Sequence, residues 1–204
     1  MTRKRPTAAV LLAPGAGSDR THSTLVALEH GLAPIPVERM DFAYRTAGRK
    51  APDRAPVLLA AVREAVGELM TRTGLSADRL ILGGRSMGGR ICSMVVAEGA
   101  VSETTGAADS ATPIGAGLIL ISYPLHPPGR PERLRIEHFP DISVPCLFIS
   151  GDRDPFGTPA ELEAHTGAIA GPVTHHWIAK GRHDLKGVDD EICEVTRAWL
   201  RSID

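Results

Sequence analysis

The chain has 204 residues, 43% of them hydrophobic, which suits one domain, residues 1–204, with a sizeable core. Lys plus Arg (23) nearly balances Asp plus Glu (24), and the formal net charge of -1 excludes a general electrostatic pull toward nucleic acid or an anionic membrane. The basic start Arg3-Lys4-Arg5 runs into Pro6, and no apolar run reaches the length of a membrane span, so neither a signal peptide nor a membrane span is read and a cytoplasmic location is expected.

Taken in order, residues 8–13 form a short apolar run suited to a strand buried on both faces. It ends in Pro14-Gly15-Ala16-Gly17-Ser18-Asp19, a turn-rich loop ahead of a helix through Leu25, Val26 and Leu28 that Gly31 is expected to stop. Residues 37–42 read as a second strand, and the polar, arginine-rich stretch 44–56 as exposed loop. Val57, Leu58, Ala61, Val62, Ala65, Val66 and Leu69 recur at helical spacing and predict a helix with one apolar face, ended by Gly74.

Residues 79–83 then predict a strand that feeds Gly84-Arg85-Ser86-Met87-Gly88, after which Ile91, Met94 and Val95 mark the packed side of a helix. The pentapeptide matches G-x-S-x-G, the sharp strand-to-helix turn that exposes a serine hydroxyl. A turn that tight leaves no room for a Cβ at the flanking glycines. Residues 103–115 read as loop, 117–123 and 145–150 as buried strands. The prolines at 124, 127, 128 and 131 exclude a long helix through the first half of 124–143. Thr158-Pro159-Ala160-Glu161 combines an N-cap hydroxyl, a proline at N1 and a glutamate at N3, so a helix starts there. A last strand at 174–179 precedes a C-terminal helix with Ile192, Val195, Trp199 and Leu200 on one face.

Strands alternating with helices throughout predict an α/β fold: a mostly parallel sheet of about six strands, helices on both faces, and no large lid. In such sheets the working loops lie beyond the carboxyl ends of the strands. That rule gathers the loop after Ala13, the turn at Ser86, and the loops after Tyr123, Ser150 and Ala179. Beyond the serine, one strand delivers Gly151-Asp152-Arg153-Asp154 and the next Gly181-Arg182-His183-Asp184. Ser, Asp, His in chain order, each just past a strand end, is the arrangement of a hydrolytic triad in an α/β-hydrolase fold. The reading is therefore nucleophile Ser86, base His183 and acid Asp154, with Asp152 the alternative acid more suited to shaping the turn. His175 and His176 fall inside a strand, while His30, His138 and His165 read as solvated or helix-end positions. The oxyanion donors expected are the N–H of Met87 and that of Ala16, with Gly17 second. Arg85, Tyr123 and His126 are expected to line the substrate pocket.

Cys92, Cys146 and Cys193 are odd in number, far apart and in apolar patterns, so they read as buried thiols; no metal site or cofactor is expected. A nucleotide fingerprint fails on spacing, because Arg20 stands where G-x-G-x-x-G needs its third glycine.

On these residues the chain resembles an α/β-hydrolase, and more narrowly it is similar to the KANL/Tex-like group, allied to dienelactone-hydrolase-like proteins. The runs that carry the resemblance are Ala13-Pro14-Gly15-Ala16-Gly17 with His22, Gly83 to Arg90, Ser122-Tyr123-Pro124-Leu125-His126-Pro127-Pro128-Gly129, Asp154 to Thr158 and His183-Asp184-Leu185-Lys186. The resemblance implies the same Ser86, Asp154 and His183, and Pro14 before Gly15 departs from the common His-Gly form of the first loop. The expected activity is hydrolysis of an ester or thioester of a small acyl substrate; the alternative is a non-catalytic interaction module on the same scaffold.

Overall fold

The structure is a computed structural model that describes residues 8–99 and 114–203. Six strands form one sheet in the order β2-β1-β3-β4-β5-β6, every neighbouring pair parallel. They are β1 (Ala9–Ala13), β2 (Val37–Arg39), β3 (Leu80–Arg85), β4 (Gly117–Ile121), β5 (Cys146–Gly151) and β6 (Val173–Ile178). The helices are α1 (Ser23–Gly31), α2 (Ala43–Thr46), α3 (Ala55–Thr73), α4 (Met87–Glu98), α5 (Pro159–Thr166) and α6 (Asp189–Ser202).

The alternation of side chains along each strand splits the core in two. Ala9, Leu11 and Ala13 of β1 join Leu58, Val62 and Val66 of α3 and Ile91 and Val95 of α4 on one face. Val10 and Leu12 join Leu25 and Leu28 of α1 and Ile192, Trp199 and Leu200 of α6 on the other. Helices thus cover both faces, and the central strands are apolar on both sides because nothing leaves them exposed to water. No described helix is long and apolar enough to cross a membrane.

Several boundaries differ from the sequence reading. The second strand stops at Arg39, and 44–56 is not simply exposed loop. Phe42 and Tyr44 are fully buried, their rings stacked at 6.2 Å, and they anchor the short α2 while α3 begins within the same stretch. Two apolar side chains were enough to pin a segment whose arginines pair outward, Arg45 with Asp19 and Arg49 with Asp53. Gly31 is the last residue of α1, not the stop beyond it. Val57 is 52% exposed, because it points outward from the buried stripe Leu58-Val62-Ala65-Val66-Leu69. The third strand runs through both glycines to Arg85, which keeps Gly84 in register opposite Ala13 and Leu120. Most of the loop expected at 103–115 lies outside the described residues. The segment 124–143 carries only a 3-10 turn at Phe139–Asp141. Helix α5 starts as its signals require: Thr158 Oγ1 accepts from the Glu161 N–H and the Glu161 carboxylate accepts from the Thr158 N–H.

Candidate active site

The site lies at the carboxyl edge of the sheet, where β3 turns into α4. Ser86 occupies the turn with φ 49° and ψ −117°, a conformation that costs an L residue about 1–3 kcal/mol and that the surroundings must hold in place. Its N–H is tied to the Ile121 carbonyl at 2.8 Å. The flanking glycines are there for clearance. A Cβ on Gly84 would stand 2.0 Å from the Ala13 carbonyl oxygen, and one on Gly88 2.2 Å from the same atom. The end of β1 therefore crosses directly over the turn and brings its own loop, Pro14 to Ser18, beside the serine.

The Ser86 hydroxyl lies 2.9 Å from Nε2 of His183. The opposite ring nitrogen, Nδ1, lies 2.8 and 3.0 Å from the two oxygens of Asp154. A carboxylate can only accept, so Nδ1 carries the proton and Nε2 presents its lone pair to the serine O–H. Asp154 is 2% exposed, and its Oδ1 also accepts from the Phe156 N–H at 2.9 Å. Asp152, the alternative, is exposed on the same turn with its N–H on the Ile178 carbonyl. The Phe156 ring stacks on the imidazole with centroids 4.0 Å apart. Sequence reasoning passed over this phenylalanine, although its place two residues beyond Asp154 puts it on the turn that meets the histidine.

Met87 and Ala16 both face the cavity. Gly17 is committed elsewhere: its N–H donates to the Tyr44 hydroxyl at 3.2 Å, which leaves Ala16 the freer donor of the two.

Arg85 is buried and holds the far side of His183. One guanidinium nitrogen donates to the His183 backbone carbonyl at 2.5 Å, and another contacts Nε2 of His22 at 2.6 Å. A guanidinium only donates, so His22 is neutral and accepts at Nε2. On the other side of the ring, Nδ1 lies 3.3 Å from the Thr24 N at the start of α1. Burial first, then the Arg85 charge, hold the His22 pKa below 6.5. Burial likewise pulls Arg85 below the usual guanidinium value. Arg85 lines the cavity, but its guanidinium is already engaged by two protein groups.

Tyr123 and His126 do not reach the cavity. Tyr123 is 1% exposed and its hydroxyl donates to the Arg135 carbonyl at 2.6 Å. His126 is buried, its Nδ1–H on the Pro127 carbonyl at 2.9 Å and its Nε2 3.5 Å from Glu161. The reason is Leu125 between them, which sinks into the core and turns the run Tyr123 to Pro127 into a brace. That brace orders the neighbouring loops: His126 N–H bonds to the Phe156 carbonyl and Arg135 N–H to the Leu125 carbonyl. His138 is not solvated either; its Nε2 lies 2.8 Å from the Ser93 hydroxyl, and burial together with Arg90 lowers its pKa to about 4.

The cavity beside the serine measures about 510 Å³, a size suited to a small organic ligand. Arg90 and Arg135 also line it, and neither was singled out from the sequence. Arg90 could have been: it stands one helical turn beyond Ser86, on the same side of α4.

A family model described as an alpha/beta hydrolase domain matches residues 6–200. Among solved structures, the chain is similar to a dienelactone hydrolase from Anabaena variabilis (19% identity, TM-score 0.73, 98% of this chain and 88% of that one). It is also similar to Est1E from Butyrivibrio proteoclasticus (13% identity, TM-score 0.74, 99% and 90%). A thermophilic esterase from Thermogutta terrifontis matches with 20% identity and a TM-score of 0.68, over 97% of this chain and 91% of that one. At these identities the structural likeness speaks for the fold alone.

Proposed function

The chain belongs to the alpha/beta hydrolase family, and on that premise we propose that it is a serine hydrolase cleaving an ester or thioester of a small acyl substrate through an acyl-enzyme. One observation carries the reading: the hydroxyl of Ser86, the imidazole of His183 and the carboxylate of Asp154 are linked in sequence at 2.9 and 2.8 Å, with Ser86 and His183 lining the cavity and Asp154 buried behind them. The run Tyr123 to Gly129 supports a finer assignment to the KANL/Tex-like group.

In this reading Ser86 Oγ attacks the substrate carbonyl carbon while its proton passes to Nε2 of His183. Asp154 holds the tautomer and stabilises the imidazolium that forms. The substrate oxygen, now an oxyanion, takes hydrogen bonds from the Met87 and Ala16 N–H groups. The bond to the leaving group breaks, and Nε2–H returns its proton to the departing alcohol or thiol. A water then attacks the acyl-enzyme, giving its proton to Nε2. The bond to Oγ breaks, the acid leaves, and the serine hydroxyl is restored. Every proton is handled by the chain's own groups, so the reading calls for no cofactor.

Ser86→Ala is expected to lower kcat/KM on a short-chain p-nitrophenyl ester by at least about 10⁴, and Asp154→Asn by about 10⁴. A fluorophosphonate probe should label the unmodified protein and not the Ser86→Ala variant. An undiminished rate in Ser86→Ala overturns the proposal, and a folded protein that neither turns over esters nor takes the probe favours the non-catalytic module. Parallel assays with acyl thioesters separate the two leaving groups.

A further inference from the structure

Part of the cavity wall is positively charged and uncompensated. Arg90 and Arg135 both line it, and no Asp or Glu does, among the described residues. Neither guanidinium has a carboxylate within 4.0 Å among the described residues, whereas Arg20, Arg39, Arg45, Arg49, Arg63 and Arg72 all do. The nearest buried carboxylate at the site, Asp154, is occupied by His183. Nε of Arg90 is buried with no hydrogen-bond partner among the described residues. The only bond that the Arg135 guanidinium makes to them is a long one, 3.4 Å, to the Pro124 carbonyl.

Two like charges held together without a counter-ion are unfavourable unless something else recovers the cost. Burial first, then the charge of Arg90, pull the Arg135 pKa below its usual value. The fold nevertheless fixes both. Arg90 rides on the first turn of α4, its N–H bonded to the Ser86 carbonyl at 3.1 Å. The Arg135 backbone is clamped at both ends, its N–H on the Leu125 carbonyl and its own carbonyl taking the Tyr123 hydroxyl at 2.6 Å. The buried Tyr123 thus acts on the cavity through Arg135 without touching it.

We propose that Arg90 and Arg135 form an anion-binding subsite beside Ser86, so that the substrate is an ester or thioester carrying a second, negatively charged oxyanion group, a carboxylate or a phosphate. The inference rests on the hydrolase reading for its reaction, but the subsite can be measured without turnover. A guanidinium fork matches both anions through charge-assisted hydrogen bonds, which are about twice as strong as neutral ones. A neutral ester in the same cavity offers the two arginines no opposite charge.

The test compares two substrates of matched length: the p-nitrophenyl monoester of glutaric acid, and the same molecule with its free carboxylate capped as a methyl ester. The ratio of their kcat/KM values does not depend on how much of a preparation is folded. The expected ratio, anionic over neutral, is at least about tenfold, the worth of one hydrogen bond to a charged group. Arg90→Met and Arg135→Met should each bring it toward one, and Arg135→Lys should retain part of it. Separately, sodium glutarate and inorganic phosphate are titrated against thermal unfolding of the Ser86→Ala protein. Stabilisation by either one, lost in both methionine variants, supports the subsite and tells carboxylate from phosphate. A ratio near one, unchanged by the variants, with no stabilisation by either anion, overturns it while leaving the hydrolase reading intact. Stabilisation without hydrolysis of either ester supports the subsite and overturns the hydrolase.

Discussion

At the scale of single residues, the least expected feature is Arg85, a buried guanidinium that makes no ion pair among the described residues and instead joins two histidines. It holds the carbonyl of His183 and the ring of His22. In the proposed reaction its effect is therefore expected through the position of His183. Arg85→Met should remove a hydrogen bond from a charged donor, about 1.5–3 kcal/mol, and let the histidine loop drift. The expected result is a fall of about 10- to 100-fold in kcat with a smaller change in KM. Arg85→Lys should recover part of kcat, and steady-state kinetics on one activated ester reads both constants. A large rise in KM at unchanged kcat would instead make Arg85 a substrate ligand, as the sequence suggested. The sequence could name the arginine but not its partners, because a polar residue at a strand end can turn toward the ligand or back into the protein. Tyr123 and His126 failed as pocket residues for the same reason. Their direction was decided by Leu125, whose burial is a property of the folded loop.

At the scale of elements, the junction of β3, α4 and the end of β1 is limited by backbone contact. A methyl group on Gly88 would meet the Ala13 and Pro14 carbonyl oxygens at 2.2 and 2.5 Å, and neither can move without displacing the loop that carries Ala16. Gly88→Ala is expected to cost at least about 2 kcal/mol, beyond ordinary overpacking because the obstacle is backbone. Gly67 lies in the middle of α3, and a methyl group added there would meet nothing within 4 Å among the described residues. Gly67→Ala should therefore stabilise by about 0.5–1 kcal/mol. Thermal unfolding of both variants checks the pair, with shifts of opposite sign; a stabilised Gly88→Ala would refute the packing account. These elements were legible where local signals agreed. Glycines on both sides of a serine marked the turn, and Thr158, Pro159 and Glu161 marked the start of α5. Helix α2 was not legible, because only tertiary burial of Phe42 and Tyr44 holds four residues in a helix amid arginines.

For the whole molecule, the parallel sheet and its edge could be read from the chain because alternating strands and helices admit few other arrangements. The loops that carry Ser86, Asp154 and His183 followed from that frame, whereas the charge balance inside the cavity did not. A net charge of -1 says nothing about where two arginines meet. Stability should depend on pH through the histidines that folding buries. The His138 pKa is lowered from 6.5 to about 4, so between those values the unfolded chain binds a proton that the folded one does not. Stability is therefore full above about 6.5, falls as the pH drops toward about 4, and loses nothing more from this group below that. His22 and His175, both also lowered mainly by burial, add to the same trend. The melting temperature should fall by several degrees between neutral pH and the lower end of this window, and His138→Gln should flatten the slope; an equal slope in the variant would show that other groups set it. One further consequence follows from the strand order. Ser86 follows β3, inside the sheet, while His183 hangs from the loop after β6, an edge strand that among the described residues pairs only with β5. Fraying at that border can part the imidazole from the hydroxyl while the interior stays intact. On warming, the proposed activity is expected to go silent before the protein melts, its working range bounded by one peripheral ribbon and not by the strength of the core.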